Sequence, residues 1–218
     1  MSSGRRFDLV AFDMDGVLVE YNSTWCWIHN HFGVSNDTAL QEFIDGDIDD
    51  HEFMRRDIAL WKERIPDINI DYINDVLDPV PEVKGVGETV QALRTEGIKT
   101  IIVSGGLDIV AQRIADSYGF DGWAANGLEV DDLGALTGKG ILRVELVNKR
   151  KALDSFLEKW GISSDRTAAV GNSFVDVSMF KGCSFSIAYN PIDAWVAENA
   201  NAVVNSDDLS DILPLLLD

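Results

Sequence analysis

The chain has 218 residues, 46% of them apolar, which is enough to build a full hydrophobic core and argues against disorder. Its 18 Lys/Arg against 37 Asp/Glu give a net charge of −19, which argues against nucleic acid or anionic membranes as partners. No stretch approaches the ~20 apolar residues of a membrane span, and the opening MSSGRRFDLV lacks the apolar centre of a signal peptide, so a cytoplasmic protein is expected.

In chain order, Phe7–Phe12 (FDLVAF) is a short β-rich run that ends in Asp13. Residues 18–84 then read as helices without a buried strand: Ser23–Phe32, Asn36–Phe43, Asp50–Arg64 and Ile70–Val76. This stretch is also the acidic part of the chain, with 15 Asp/Glu and 5 Lys/Arg in residues 20–84. That surplus suits either an ordinary acidic surface or solvation at high intracellular salt. From residue 85 onward strands and helices alternate. Strands are expected at Thr100–Val103, Thr167–Val170, Ser184–Ala188 and Ala202–Val204. Helices are expected at Val86–Glu96, Leu107–Tyr118, Lys149–Trp160 and Val175–Lys181, each followed by a glycine where a helix C-terminus favours one. Ala124–Gly140 alternates and turns at Asp131–Gly134, as a β-hairpin does.

The expected fold is therefore α/β: a doubly wound parallel sheet of residues 1–17 and 85–218, with a helical cap of residues 18–84 inserted after the first strand. Ligands of such sheets collect beyond the carboxyl ends of the strands. Those ends carry Asp13 and Asp15, then Ser104-Gly105-Gly106, then Asn172 and Asp176, with Lys149 opening the helix before the third expected core strand. Taken singly, each has an ordinary explanation as a turn, cap or surface group, and Lys151 competes with Lys149. Together, in this order, they describe one site. Asp13 and Asp15 find no counter-charge in the neighbouring sequence, so a metal or a phosphate with its metal is the expected partner. Cys26 and Cys183 lack CxxC spacing and read as reduced structural thiols. His29, His31 and His51 have no metal-like partner set, and Trp25, Trp27 and Trp61 read as cap core.

The segments DMDGVL, VSGGLDIV, AANGLEV…LTG, NKRKAL and GNSFVDVSMF together resemble a haloacid dehalogenase-superfamily phosphatase, most similar to the phosphoserine phosphatase group. The resemblance covers nearly the whole chain and implies specific roles. Asp13 would attack phosphorus and become an aspartyl phosphate, and Asp15 would serve as general acid and then general base. Mg²⁺ would be held by the Asp13 carboxylate, the Asp15 carbonyl and the loop carrying Asn172 and Asp176. Ser104 and the Gly105 amide, with Gly106 beside them, would hold the phosphoryl oxygens at a helix N-terminus, and Lys149 would offset negative charge.

Four positions depart from the family pattern, two in the loop after Gly171 and two in the cap. Asn172 replaces the usual metal-ligand aspartate, and Val175 replaces the Asn before the second acid. The cap carboxylate that grips the substrate ammonium falls at Asn22, with Glu20 two residues away. The arginine that reads the substrate carboxylate falls at Asp57, beside Arg55 and Arg56. The expected function is Mg²⁺-dependent hydrolysis of a small phosphorylated metabolite, phosphoserine being one candidate. A phosphomutase, or a non-catalytic binding protein of the same fold weakened in metal binding by Asn172, are the alternatives.

Overall fold

The computed structural model describes residues 4–218. Seven strands form one sheet: β1 (Leu9–Phe12), β2 (Lys99–Leu107), β3 (Gly122–Val130), β4 (Leu136–Ile141), β5 (Thr167–Gly171), β6 (Phe185–Tyr189) and β7 (Ala202–Val204). Their order is β4-β3-β2-β1-β5-β6-β7, with every neighbouring pair parallel except β3 and β4. The sheet reverses direction of growth at β1, which puts the carboxyl end of β1 at the point where ligands of doubly wound sheets sit. The expected hairpin is thus the far edge of the main sheet, its first strand pairing with β2 and its second with β3.

Between β1 and β2 run α1 (Thr24–Phe32), α2 (Asp37–Asp45), α3 (Asp50–Arg64), α4 (Ile70–Leu77) and α5 (Val86–Thr95). After β2 come α6 (Asp108–Tyr118), α7 (Lys149–Trp160), α8 (Val177–Phe180), α9 (Ala194–Glu198) and α10 (Leu213–Leu217). Gly119 and Gly161 end α6 and α7 in the left-handed region, at φ 74° and 63°, where a side chain would be strained. The short α9 and α10 carry too few turns to show a period in sequence.

Alternate residues of β1 face opposite sides. Leu9 and Ala11 join Leu153 and Leu157 of α7 in one cluster. Val10 and Phe12 join a larger one that runs without a break into Ile28, Ile58, Trp61 and Ile73 of the helical stretch. The stretch is also pinned to the hairpin. Ile70 N–H donates to Gly134 O (2.9 Å), Leu136 N–H donates to Ile68 O (2.9 Å), and Lys62 Nζ donates to Leu136 O. In β4 a Cβ on Gly140 would stand 2.6 Å from Met54 Sδ, so a bare backbone lets α3 lie against the strand. The chain enters and leaves the stretch through paired crossings, Val83 N–H donating to Leu18 O and Glu20 N–H to Pro81 O, both at 2.9 Å. No helix among the described residues is long and apolar enough to cross a membrane.

One expected boundary is corrected. The second strand was expected to stop before Ser104, but β2 continues through the glycines to Leu107, which pairs with Asn126 of β3. The glycines mark a register shift inside the strand, and α6 begins only at Asp108. Ser104 is therefore a strand residue four positions before the helix, not its N-cap.

Candidate active site

Burial of Asp13 (3% exposed) follows from its place at the end of a strand covered on both faces. Its Oδ1 accepts the Met14 amide (2.8 Å) and the Lys149 ammonium (2.8 Å). Among the described residues no donor reaches its Oδ2. Burial first, then the Asp176 charge, raises the Asp13 carboxyl to about 6 against the pull of Lys149. It remains ionised at neutral pH.

Asp15 is also buried. Its Oδ2 accepts the Thr24 amide (2.9 Å) and hydroxyl (3.2 Å), while Oδ1 is buried without a partner. Burial, and after it the Asp13 charge, pushes Asp15 to about 7. Both carboxyls are raised, Asp15 the more, while Lys149 beside Asp13 favours its ionised form, an ordering in the direction that nucleophile-and-acid chemistry needs. A Cβ on Gly106 would lie 2.5 Å from Asp15 Oδ2 and 2.8 Å from Thr24 Oγ1, so glycine at this position is what admits the Asp15–Thr24 contact. Thr24 Oγ1 in turn accepts the Leu107 amide (2.9 Å), joining α1, β2 and Asp15.

Lys149 is the first residue of α7 and is 1% exposed. Its ammonium lies 2.8 Å from Asp13 Oδ1 and 2.7 Å from Asp176 Oδ1. Burial alone would lower its pKa, but the two carboxylates outweigh burial and raise it, so the ammonium stays charged. Lys151, the sequence competitor, is exposed and pairs with Glu145.

Asp176 is fully buried at the foot of the loop that follows β5. Its Oδ1 is taken by Lys149, and its Oδ2 accepts the amides of Asn172 (2.9 Å) and Ser173 (3.0 Å). With both oxygens accepting N–H donors, it positions Lys149 and folds the 171–176 loop. A Cβ on Gly171 would meet Asp176 Cγ at 2.4 Å, so this glycine lets the loop close on itself. Asn172 is 2% exposed and packs over the Gly16 backbone, its Nδ2 3.4 Å from Asn22 Oδ1.

Beside them lies a cavity of about 260 Å³. Asp13, Asp15, Asn22, Ser104, Gly105, Gly106, Lys149 and Asn172 all face it. Glu20, Arg55 and Arg56, which flank the expected substrate-reading positions Asn22 and Asp57, are not among its lining residues. Glu20 is exposed, Arg55 is held by Glu52 (2.6 Å), and Arg56 is held by Glu42 (2.5 Å) and Glu52 (2.8 Å). Those acids stand three or four residues away on the same helix or on α2, so the arginines point along the helix surface. Sequence reading missed Thr24, which looked like an ordinary first-turn residue. It also missed Asn126, whose amide ties Gly105 O (3.4 Å) and Val144 O (3.0 Å) together beside the cavity.

The oxygens expected to hold a cation are the Asp13 carboxylate, the Asp15 carbonyl and the Asn172 amide. This all-oxygen set suits a hard divalent ion. Asp15 Oδ1 is a buried oxygen without a partner among the described residues. No group of three or more His, Cys, Asp or Glu gathers as a metal cluster among the described residues. A cation held by the three expected oxygens would rest on one charged side chain and neutral groups.

Residues 10–181 match the model of the haloacid dehalogenase-like hydrolase family. The chain is 31% identical to a phosphoserine phosphatase of Methanocaldococcus jannaschii, over 94% of this chain and 95% of the relative. It is 34% identical to one of Idiomarina loihiensis, over 95% and 93%. A solved structure described as a phospho-aspartyl intermediate analogue of phosphoserine phosphatase superposes with a TM-score of 0.82 at 29% identity, covering 97% of this chain and 100% of that one. The buried carboxylate pair, its lysine and these likenesses agree: the chain belongs to the haloacid dehalogenase-like hydrolases and is a phosphoserine phosphatase-like phosphatase of that family.

Proposed function

We propose that the protein hydrolyses a small phosphomonoester through an aspartyl phosphate on Asp13, with Mg²⁺ as the divalent ion. The observation that carries this reading is the free Oδ2 of an ionised, buried Asp13 that is fixed through its other oxygen by Lys149 and the Met14 amide. Oδ2 attacks phosphorus, the bond from phosphorus to the ester oxygen breaks, and Asp15 gives that oxygen its proton, releasing the alcohol. Water then attacks the aspartyl phosphate and passes a proton back to Asp15. Inorganic phosphate leaves, and both carboxyls regain their starting states. Lys149 offsets charge on Asp13 and on the phosphoryl oxygens, and Ser104 and the Gly105 amide face the same space.

Asp13, the Asp15 carbonyl and Asn172 would hold Mg²⁺, which when bound neutralises phosphoryl charge. Residues 18–84 act in this reading as a cap that excludes water, since Asn22, Trp25, Phe53 and Asp57 supply the cavity wall facing the strand ends. A cytoplasmic location accords with the two free thiols. The test is phosphate release from p-nitrophenyl phosphate with and without Mg²⁺. Mg²⁺-dependent release is expected, and none under either condition would favour a binding protein that has kept the fold.

A further inference from the structure

We infer that the leaving group of the substrate carries a protonated amine and no carboxylate, and that Asp57 selects it. The inference rests on the hydrolytic reading above and names its substrate class. Five aspartates line the cavity, Asp13, Asp15, Asp37, Asp50 and Asp57, against one lysine and no arginine. That lysine, Lys149, is already shared between Asp13 and Asp176. A carboxylate on the leaving group would enter this space without a cation to meet it, beside acids that repel it.

Asp57 is the best-placed partner for a cation. It lies on α3 and is 3% exposed. Its Oδ1 accepts Asn36 Nδ2 (2.6 Å) and the ring of His29 (2.9 Å). The Trp61 indole can only donate, and it donates to His29 Nδ1 (2.9 Å), so the hydrogen of His29 lies on Nε2, directed at Asp57. This chain of three contacts fixes the carboxylate. No donor among the described residues reaches Asp57 Oδ2, although the residue faces the cavity. Trp25, stacked on Trp61 with ring centroids 5.5 Å apart, adds an aromatic surface to the same wall. An ammonium has both the charge and the N–H groups to satisfy Oδ2, and the aromatic face attracts a cation as well.

The test compares kcat/KM for 2-aminoethyl phosphate, n-propyl phosphate and O-phosphoserine. The propyl ester keeps the shape and removes the charge, and phosphoserine adds the carboxylate. Wild type should favour 2-aminoethyl phosphate over each of the others by about tenfold or more, the worth of one charge-assisted hydrogen bond. In Asp57→Asn the amide oxygen still accepts from His29 and Asn36, and the aminoethyl-to-propyl ratio should fall toward unity. Phosphoserine turned over faster than 2-aminoethyl phosphate would overturn the inference, as would an unchanged ratio in Asp57→Asn. The wild-type ratios stand even if the variant fails to fold. Should no ester turn over, and p-nitrophenyl phosphate with them, the hydrolytic reading fails. Calorimetric titration of wild type with the same three esters then decides the selectivity: tighter 2-aminoethyl phosphate supports it, and equal or tighter phosphoserine overturns it.

Discussion

At the carboxyl edge of the sheet, Asp13, Lys149 and Asp176 hold one another at 2.7–2.8 Å, and Asp176 also closes the loop that presents Asn172. On the helical side of the cavity, Asp57 is held by neighbours of the helical stretch itself, His29 and Asn36, with Trp61 behind His29. The difference explains what this chain keeps and what it changes. A residue at the sheet edge is tied both to the reacting centre and to a buried ion pair, so a change there strikes chemistry and stability together. A residue on the helical wall must fit its neighbours, but its charge is free to follow the ligand.

The largest effect expected at the sheet edge is on Asp13→Asn. A neutral amide cannot become an acyl phosphate, so turnover should fall to background, on the order of the 10⁶-fold loss seen when a catalytic nucleophile is removed. Circular dichroism should remain native. Retention of substantial phosphatase activity would separate Asp13 from the chemistry and break the comparison at its stronger side.

Lys149→Met sharpens the claim that this edge couples chemistry to stability. Losing the ammonium leaves two buried carboxylates without their shared cation, which should cost about 3–5 kcal/mol in urea unfolding. Asp176→Asn should be milder, since its amide keeps one acceptor. A Lys149→Met variant as stable as wild type would mean that the ion pair is solvated and the edge is not the rigid element described.

How much of this was legible in sequence follows the same division. Asp13 and Asp15 are visible because they sit two apart behind an apolar strand and ahead of Gly16, a purely local pattern. Lys149 is visible because it opens a periodic helix. The ion pair of Asp176 is not visible, because its partner Lys149 stands 27 residues earlier in the chain. Asp57 was noticed only as a mismatch, since its meaning depends on His29 and Asn36, which three-dimensional packing brings to it. Arg56 misled for the opposite reason: an arginine beside the expected position suggests substrate, but Glu42 and Glu52 capture it outside the cavity. The end of β2 was misjudged because glycines usually punctuate, whereas here pairing with β3 carries the strand past them.

A smaller effect is expected at Asn172. Asn172→Asp places a charge among the proposed Mg²⁺ oxygens and should lower the Mg²⁺ concentration for half-maximal rate by about ten- to hundredfold, or roughly 1–3 kcal/mol. An unchanged midpoint would remove Asn172 from the ion's coordination.

The smallest effect belongs to the helical surface. Arg56→Ala should leave the urea midpoint and the ranking of substrates unchanged within error, because its partners are half-exposed and it does not face the cavity. A change in substrate ranking would return Arg56 to the binding wall and blur the contrast between the two regions.

The most direct measurement is to quench the enzyme with acid during turnover of a labelled phosphomonoester and map the label. The account predicts a phosphoryl group on the peptide carrying Asp13, released by hydroxylamine as an acyl phosphate is, and absent from Asp13→Asn. Label on the peptide carrying Ser104, or turnover with no labelled peptide in either protein, would contradict it.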